Sequence, residues 1–100
     1  MEPIDFEQLK KQYGEILVLE TDDATFIFKK PERPHIKHFY DSIGIESTYE
    51  TAAALEQDLL IHPTLEDFGA YCLKNPSVVM DLMPALRTWI GAKMIREKKV

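Results

Sequence analysis

Apolar positions along this chain repeat with two different periods, and the change of period divides the chain. Phe6, Leu9 and Tyr13 are spaced by three and four, which lays one apolar stripe along a short helix over residues 5–13. Asp5 suits the N-cap of that helix, Gln8 the partner position of a capping box, and Gly14 the left-handed residue after the last turn. From residue 15 the period drops to two. The runs 15–21 and 24–30, rich in β-branched and aromatic residues, flank the pair Asp22-Asp23 and predict a β-hairpin. A two-residue loop there sets Leu19 opposite Phe26 and Leu17 opposite Phe28, and brings Glu15 near Lys30. Directly opposed residues share a face, so these four make one apolar surface. The other face, with Ile16, Val18, Thr25, Ile27 and Lys29, is mixed. A lone hairpin is marginal in water, so helices must cover its apolar face.

After the hairpin the helical period returns. Pro31 has no N–H for the ladder and ends the second strand, whereas Pro34 suits the first turn of a helix. Residues 34–43 carry Ile36, Phe39, Tyr40 and Ile43 on one side, and Gly44 stops them. Ser47 with Glu50 opens a helix over 48–61 that buries Ala52, Leu55 and Leu59 and ends near His62, before Pro63. Thr64 opens a helix over 65–74, and Asn75-Pro76-Ser77 breaks it. A last amphipathic stretch runs over 77–95 and is expected to kink or divide near Pro84. The prediction is α+β: an N-terminal helix and one β-hairpin, then a mainly α-helical bundle of about four helices, in a single domain over 1–100.

Composition narrows the class. One hundred residues, 45% apolar and 29% charged, suffice for one core without metal or disulfide. Seventeen acids against 12 bases give a net charge of −5, which argues against a sequence-blind grip on nucleic acid. Glu15, Glu20, Asp22 and Asp23 make the hairpin tip acidic, while Lys93, Arg96, Lys98 and Lys99 make the end of the chain basic. This asymmetry leaves head-to-tail homo-oligomerisation or an acidic partner open beside the simpler reading of a solvated helix end. Cys72 is the only cysteine, in keeping with a reducing compartment. The N-terminal stretch lacks the pattern of a signal peptide, and no apolar run approaches the ~20 residues of a membrane span. The expectation is a soluble protein of the cytoplasm, with neither membrane nor nucleic acid as partner.

No residue set specifies a chemistry. His35 and His38, three apart on a helix, could reach one ion, but a structural metal site wants two more ligands and no Cys-x-x-Cys or His-Glu-x-x-His supplies them. Cys72, His62 and Asp58 or Asp67 could form a thiol triad, yet no glycine-rich elbow presents the cysteine. The pairs Asp22-Asp23 and Glu66-Asp67 sit where turns and helix dipoles favour acids. Neither catalysis nor a metal or cofactor is expected. The C-terminal amphipathic stretch is the better candidate: Met80, Met83, Trp89, Ile90 and Met94 give a soft apolar surface suited to a partner helix. Packing on the hairpin as core is its alternative role. Lys29, Lys30, Arg33 and Lys37 form a basic cluster at the strand-to-helix corner.

The order of parts carries a resemblance. A helix ending in Tyr-Gly leads to a hairpin closing with Phe-Lys-Lys-Pro-Glu-Arg. An aromatic-bearing helix, an Ala/Leu helix ending in Ile-His-Pro, and the run Leu-Glu-Asp-Phe-Gly-Ala-Tyr-Cys-Leu-Lys-Asn-Pro follow. Over roughly residues 7–90 this resembles the small tail-assembly-chaperone-like proteins of tailed bacteriophages, in which a hairpin with an Arg/Lys-Pro-x-Arg corner precedes a Pro-terminated helix and a Leu-Glu…Tyr-Pro segment. Here the corner has a second proline, Pro34, and Asn75 stands where an aromatic is expected. The resemblance implies a non-enzymatic role in the cytoplasm of the bacterial host cell: binding a tape-measure or tail-tube protein and keeping its helices soluble during tail assembly. It points to Met80, Met83, Trp89, Ile90 and Met94 for helix capture, with Arg33 and Lys37 as flanking contacts. The alternatives are a small structural virion component, such as a head-tail or tail completion protein, and a small inhibitor that binds a host protein.

Overall fold

The computed structural model describes residues 4–91 together with 98 and 99, and the architecture is α+β. The elements in chain order are α1 (Phe6–Tyr13), β1 (Ile16–Glu20), β2 (Thr25–Lys29), α2 (Arg33–Ser42), α3 (Thr48–Leu59), β3 (Leu60–His62), α4 (Leu65–Lys74), α5 (Val78–Asp81) and α6 (Met83–Trp89). Three helices start on side-chain caps that satisfy otherwise orphaned N–H groups. Asp5 accepts from the Gln8 N–H, Ser47 from Glu50 and Thr64 from Asp67, each at 3.1 Å. Gly14, at φ +79°, turns the chain out of α1 straight into β1.

The strands form one antiparallel sheet in the order β1-β2-β3. In the hairpin Leu17 faces Phe28 and Leu19 faces Phe26, and the Thr21 N–H donates to the Ala24 carbonyl at 2.8 Å to close the loop. β2 is central, and Phe26, Ile27 and Phe28 are fully buried. Its second neighbour, β3, is a correction to the helix expected over 48–61. That helix stops at Leu59, and Leu60–His62 pair with Phe28 and Ile27 instead. Two causes act together. The outer N–H and C=O groups of a buried central strand need partners, and Pro63 disfavours helical geometry at His62.

The other departures are smaller. α2 begins at Arg33 and ends at Ser42, one residue ahead of the expected 34–43. The long C-terminal helix divides at Leu82 into α5 and α6, so that Pro84 falls in the first turn of α6, where its missing N–H breaks no bond. The expected continuation to residue 95 lies outside the described residues. Among those described, no helix is long and apolar enough to cross a membrane.

The core lies between the Leu17/Leu19/Phe26/Phe28 face of the sheet and the helices. Ala52, Leu55 and Leu59 of α3, Phe68 of α4, Val78 and Val79 of α5, and Leu82, Met83 and Leu86 complete it. Phe26 meets Phe68 edge to face, with ring centroids 5.6 Å apart. Burying side chains of this size contributes about 1.5–3 kcal/mol each. Trp89 closes the far end of the core: its indole N–H donates to the Lys29 carbonyl at 3.0 Å and so ties the end of α6 to the end of β2.

Candidate functional site

The described surface has one well-shaped apolar concavity, where the end of α2, the start of α3 and the α5–α6 pair converge. Its geometry begins with Ser42. This residue is buried, its hydroxyl donates to the His38 carbonyl, and its own carbonyl accepts the N–H groups of Ile45 and Glu46 at 3.2 and 3.0 Å. Gly44, at φ +86°, lets the chain reverse there. The five-residue link between α2 and α3 is thereby fixed with its apolar side chains outward. Tyr40 is 58% exposed, Ile43 54%, Ile45 84% and Met80 39%.

Below this rim lies a groove of about 320 Å³, lined by Phe39, Tyr40, Ile43, Ala52, Met80 and Met83, with Glu46 and Arg87 as its charged members. Neither Glu46 nor Arg87 makes an ion pair with any described residue. An apolar floor with one charge of each sign suits a segment that brings two or three large apolar side chains and a polar flank.

Among the residues singled out from the sequence, Met80 forms part of the rim. Met83 is only 8% exposed and serves as both core and groove floor. Trp89 and Ile90 are half-buried against the core and do not line the groove. Met94 lies outside the described residues. Arg33 and Lys37 are exposed on α2, away from the groove; Lys37 pairs with Asp41 one turn on, and that hydrogen bond raises the pKa of its ammonium group. Phe39, Tyr40, Ile43, Glu46 and Arg87 were not singled out as a site, because three separate segments bring them together. Ile45 carried a local signal: an isoleucine beyond a helix-stopping glycine, with no stripe to join.

The other candidates resolve into structural contacts. The two histidines do not converge: His35 Nδ1 accepts the Glu32 N–H at 2.9 Å, while His38 Nδ1 lies 2.9 Å from Asp58 Oδ2. The hydrogen bond and charge of Asp58 raise the pKa of His38. Asp58 therefore serves His38 and not His62, which removes one of the two acids offered for the triad. Burial, and then the charge of Glu56, push the Cys72 thiol upward, the wrong direction for a nucleophile. Among the described residues no group of three or more His, Cys, Asp or Glu could hold a metal ion. At the hairpin tip the Tyr71 hydroxyl donates to Asp23 at 2.7 Å, and Thr21 donates to the same carboxylate at 3.1 Å. These bonds, that of Tyr71 first, hold the Asp23 carboxyl below its ordinary range. Lys30 is engaged by Glu15 at 2.8 Å, so two of the four bases at the corner, Lys30 and Lys37, are paired.

One buried side chain has no partner among the described residues. Glu56 on α3 is fully buried, and neither carboxylate oxygen makes a hydrogen bond to the described residues. Burial alone raises its pKa to about 8, so the side chain is mainly neutral at physiological pH.

No family model and no curated protein matches the chain. The fold is similar to the solved structure of an uncharacterised protein from Bacillus stearothermophilus, with a TM-score of 0.78 over 95% of this chain and 100% of that one. At 18% sequence identity this likeness shows a shared fold and carries no function with it.

Proposed function

We propose that this chain is a non-enzymatic assembly protein of a tailed bacteriophage, a tail assembly chaperone that holds an apolar helix of a tape-measure or tail-tube protein in the α2–α3–α6 groove. The observation that carries the reading is the groove itself. Tyr40 on α2, Ile43 on the α2–α3 link and Met80 on α5 stand exposed around an apolar floor. Internal hydrogen bonds fix the link in place, and the exposed Ile45 stands beside Ile43 on it. Amphipathic helices dock in such grooves through anchors at i, i+3, i+4 and i+7, and a thioether at the rim adapts to varied side chains. The order of parts, a hairpin followed by packed helices, also supports the resemblance drawn from the sequence. Arg87 and Glu46 take the flanking role first given to Arg33 and Lys37.

The test uses side chains that can change without loss of the core. Met83→Asp would disrupt packing, whereas Ile43→Asp with Ile45→Asp alters only exposed positions. Co-expression with the tape-measure protein of the same phage should yield a soluble complex with the native chain and an insoluble tape-measure protein with the doubly substituted one, the two chaperone chains showing the same circular dichroism. Equal solubilisation by both, or by neither, refutes the groove reading. Recovery of the chain in finished particles would instead favour the structural virion component.

A further inference from the structure

The outer edge of β1 supports an inference independent of the groove. In the hairpin the ladder bonds belong to alternate pairs. The Thr21 N–H to Ala24 bond fixes the phase, so Leu17/Phe28 and Leu19/Phe26 are the other bonded pairs. The N–H and C=O groups of Ile16, Val18 and Glu20 therefore point away from β2. They form no hydrogen bond with any described residue. Native proteins commonly blunt such an edge with lysine, proline or a bulge, and β1 has none of these. α1 touches β1 and shares a surface concavity with Ile61 and His62 of β3, and none of its backbone groups bonds to the β1 edge.

We infer that β1 pairs with β1 of a second copy of this chain, antiparallel about a two-fold axis at Val18, to give a continuous sheet β3-β2-β1-β1-β2-β3. Three features of the sequence fit this one register. Ile16 faces the partner's Glu20, Val18 faces its own counterpart, and all three outward residues find bonding partners, about six hydrogen bonds in total. On the core face Leu17 meets the partner's Leu19. Both residues are half-buried at the rim of their own core, and the pairing covers them from the open side. On the other face the row runs Lys29, Ile16, partner's Glu20. Lys29 and Glu20 have no ion pair among the described residues, and across two strand spacings of about 10 Å their extended side chains meet. The axis repeats the contact, setting the acidic tip of each hairpin beside the basic base of the other.

The experiment is sedimentation velocity on the full chain across the micromolar range, with amide hydrogen exchange on the same samples. A monomer–dimer equilibrium that weakens with added salt is expected, with exchange at Ile16, Val18 and Glu20 slowing as the dimer forms. Val18→Pro removes an outward N–H that the monomer does not use, and should give a monomer with unchanged circular dichroism. Glu20→Lys or Lys29→Glu alone should raise the dimer Kd about tenfold or more, since the axis doubles each charge contact, and the two together should restore it. A chain monomeric throughout overturns the inference. So does a dimer that tolerates Val18→Pro, or one that the single charge reversals leave intact.

Discussion

Glutamine at position 56 changes a single chemical property of the core, the ability of that site to bind and release a proton. In the folded chain burial holds the Glu56 pKa near 8, against 4.5 in the unfolded chain. The sign follows from proton binding. Because the folded state holds the proton more tightly, this site's contribution to stability is complete below the unfolded value and is lost as pH rises through the folded one. Between these values the loss runs at about 1.4 kcal/mol per pH unit, or about 3 kcal/mol by pH 7. That is a large share of the ~5–15 kcal/mol that holds a typical domain together. Glu56→Gln has nearly the same shape and leaves the site uncharged at every pH. Urea unfolding followed by Trp89 fluorescence should therefore give similar stabilities for the two proteins near pH 4.5. By neutral pH the glutamine variant should be the more stable by about 3 kcal/mol, and the difference should level off above about pH 8. The upward shift of His38 is common to both proteins and cancels. Parallel stability curves would refute the reasoning, and would mean that the Glu56 carboxylate finds water or a counter-charge in the folded state.

Asp58→Asn should return the His38 pKa toward its ordinary value, read from the imidazole C–H resonance. The stability from the His38–Asp58 contact, present below about pH 6.5 and lost as pH rises through the raised value, should vanish with it. Leu86→Ala, at a fully buried core position, should cost about 2–5 kcal/mol in urea unfolding; a loss under about 1 kcal/mol would mean the core collapses around the gap. Gly44→Ala places a Cβ on a left-handed residue with open space around it. It should cost about 1 kcal/mol through backbone strain alone, with the rest of the fold unchanged by circular dichroism.

What the sequence revealed depended on whether neighbours in the chain were also neighbours in space. The hairpin register was legible because a two-residue loop dictates every facing pair from Glu15–Lys30 inward. The starts of α1, α3 and α4 were legible because Asp5, Ser47 and Thr64 act within three residues. β3 was not legible. Leu60 and Ile61 prolong the apolar content of α3, and only the open edge of β2, some thirty positions earlier, makes them a strand. Glu56 carried a signal that was passed over: with Ala52, Leu55 and Leu59 it completes the i, i+3, i+4, i+7 stripe that faces the core. The groove is harder still, because its floor and rim come from elements that meet only in the finished fold.

The placement of β2 between a partner five residues away and another some thirty residues away has a consequence for a newly made chain. β1 and β2 can zip together at once, but the far edge of β2 stays bare until α2 and α3 have packed and delivered Leu60–His62. Through that interval Phe26, Ile27 and Phe28, which the finished protein hides completely, form a sticky strand with open hydrogen-bonding groups. The α2–α3 pair thus decides how long each new molecule is vulnerable to clumping with its neighbours. Substitutions that slow its packing should lower the yield of soluble protein more than their effect on final stability accounts for.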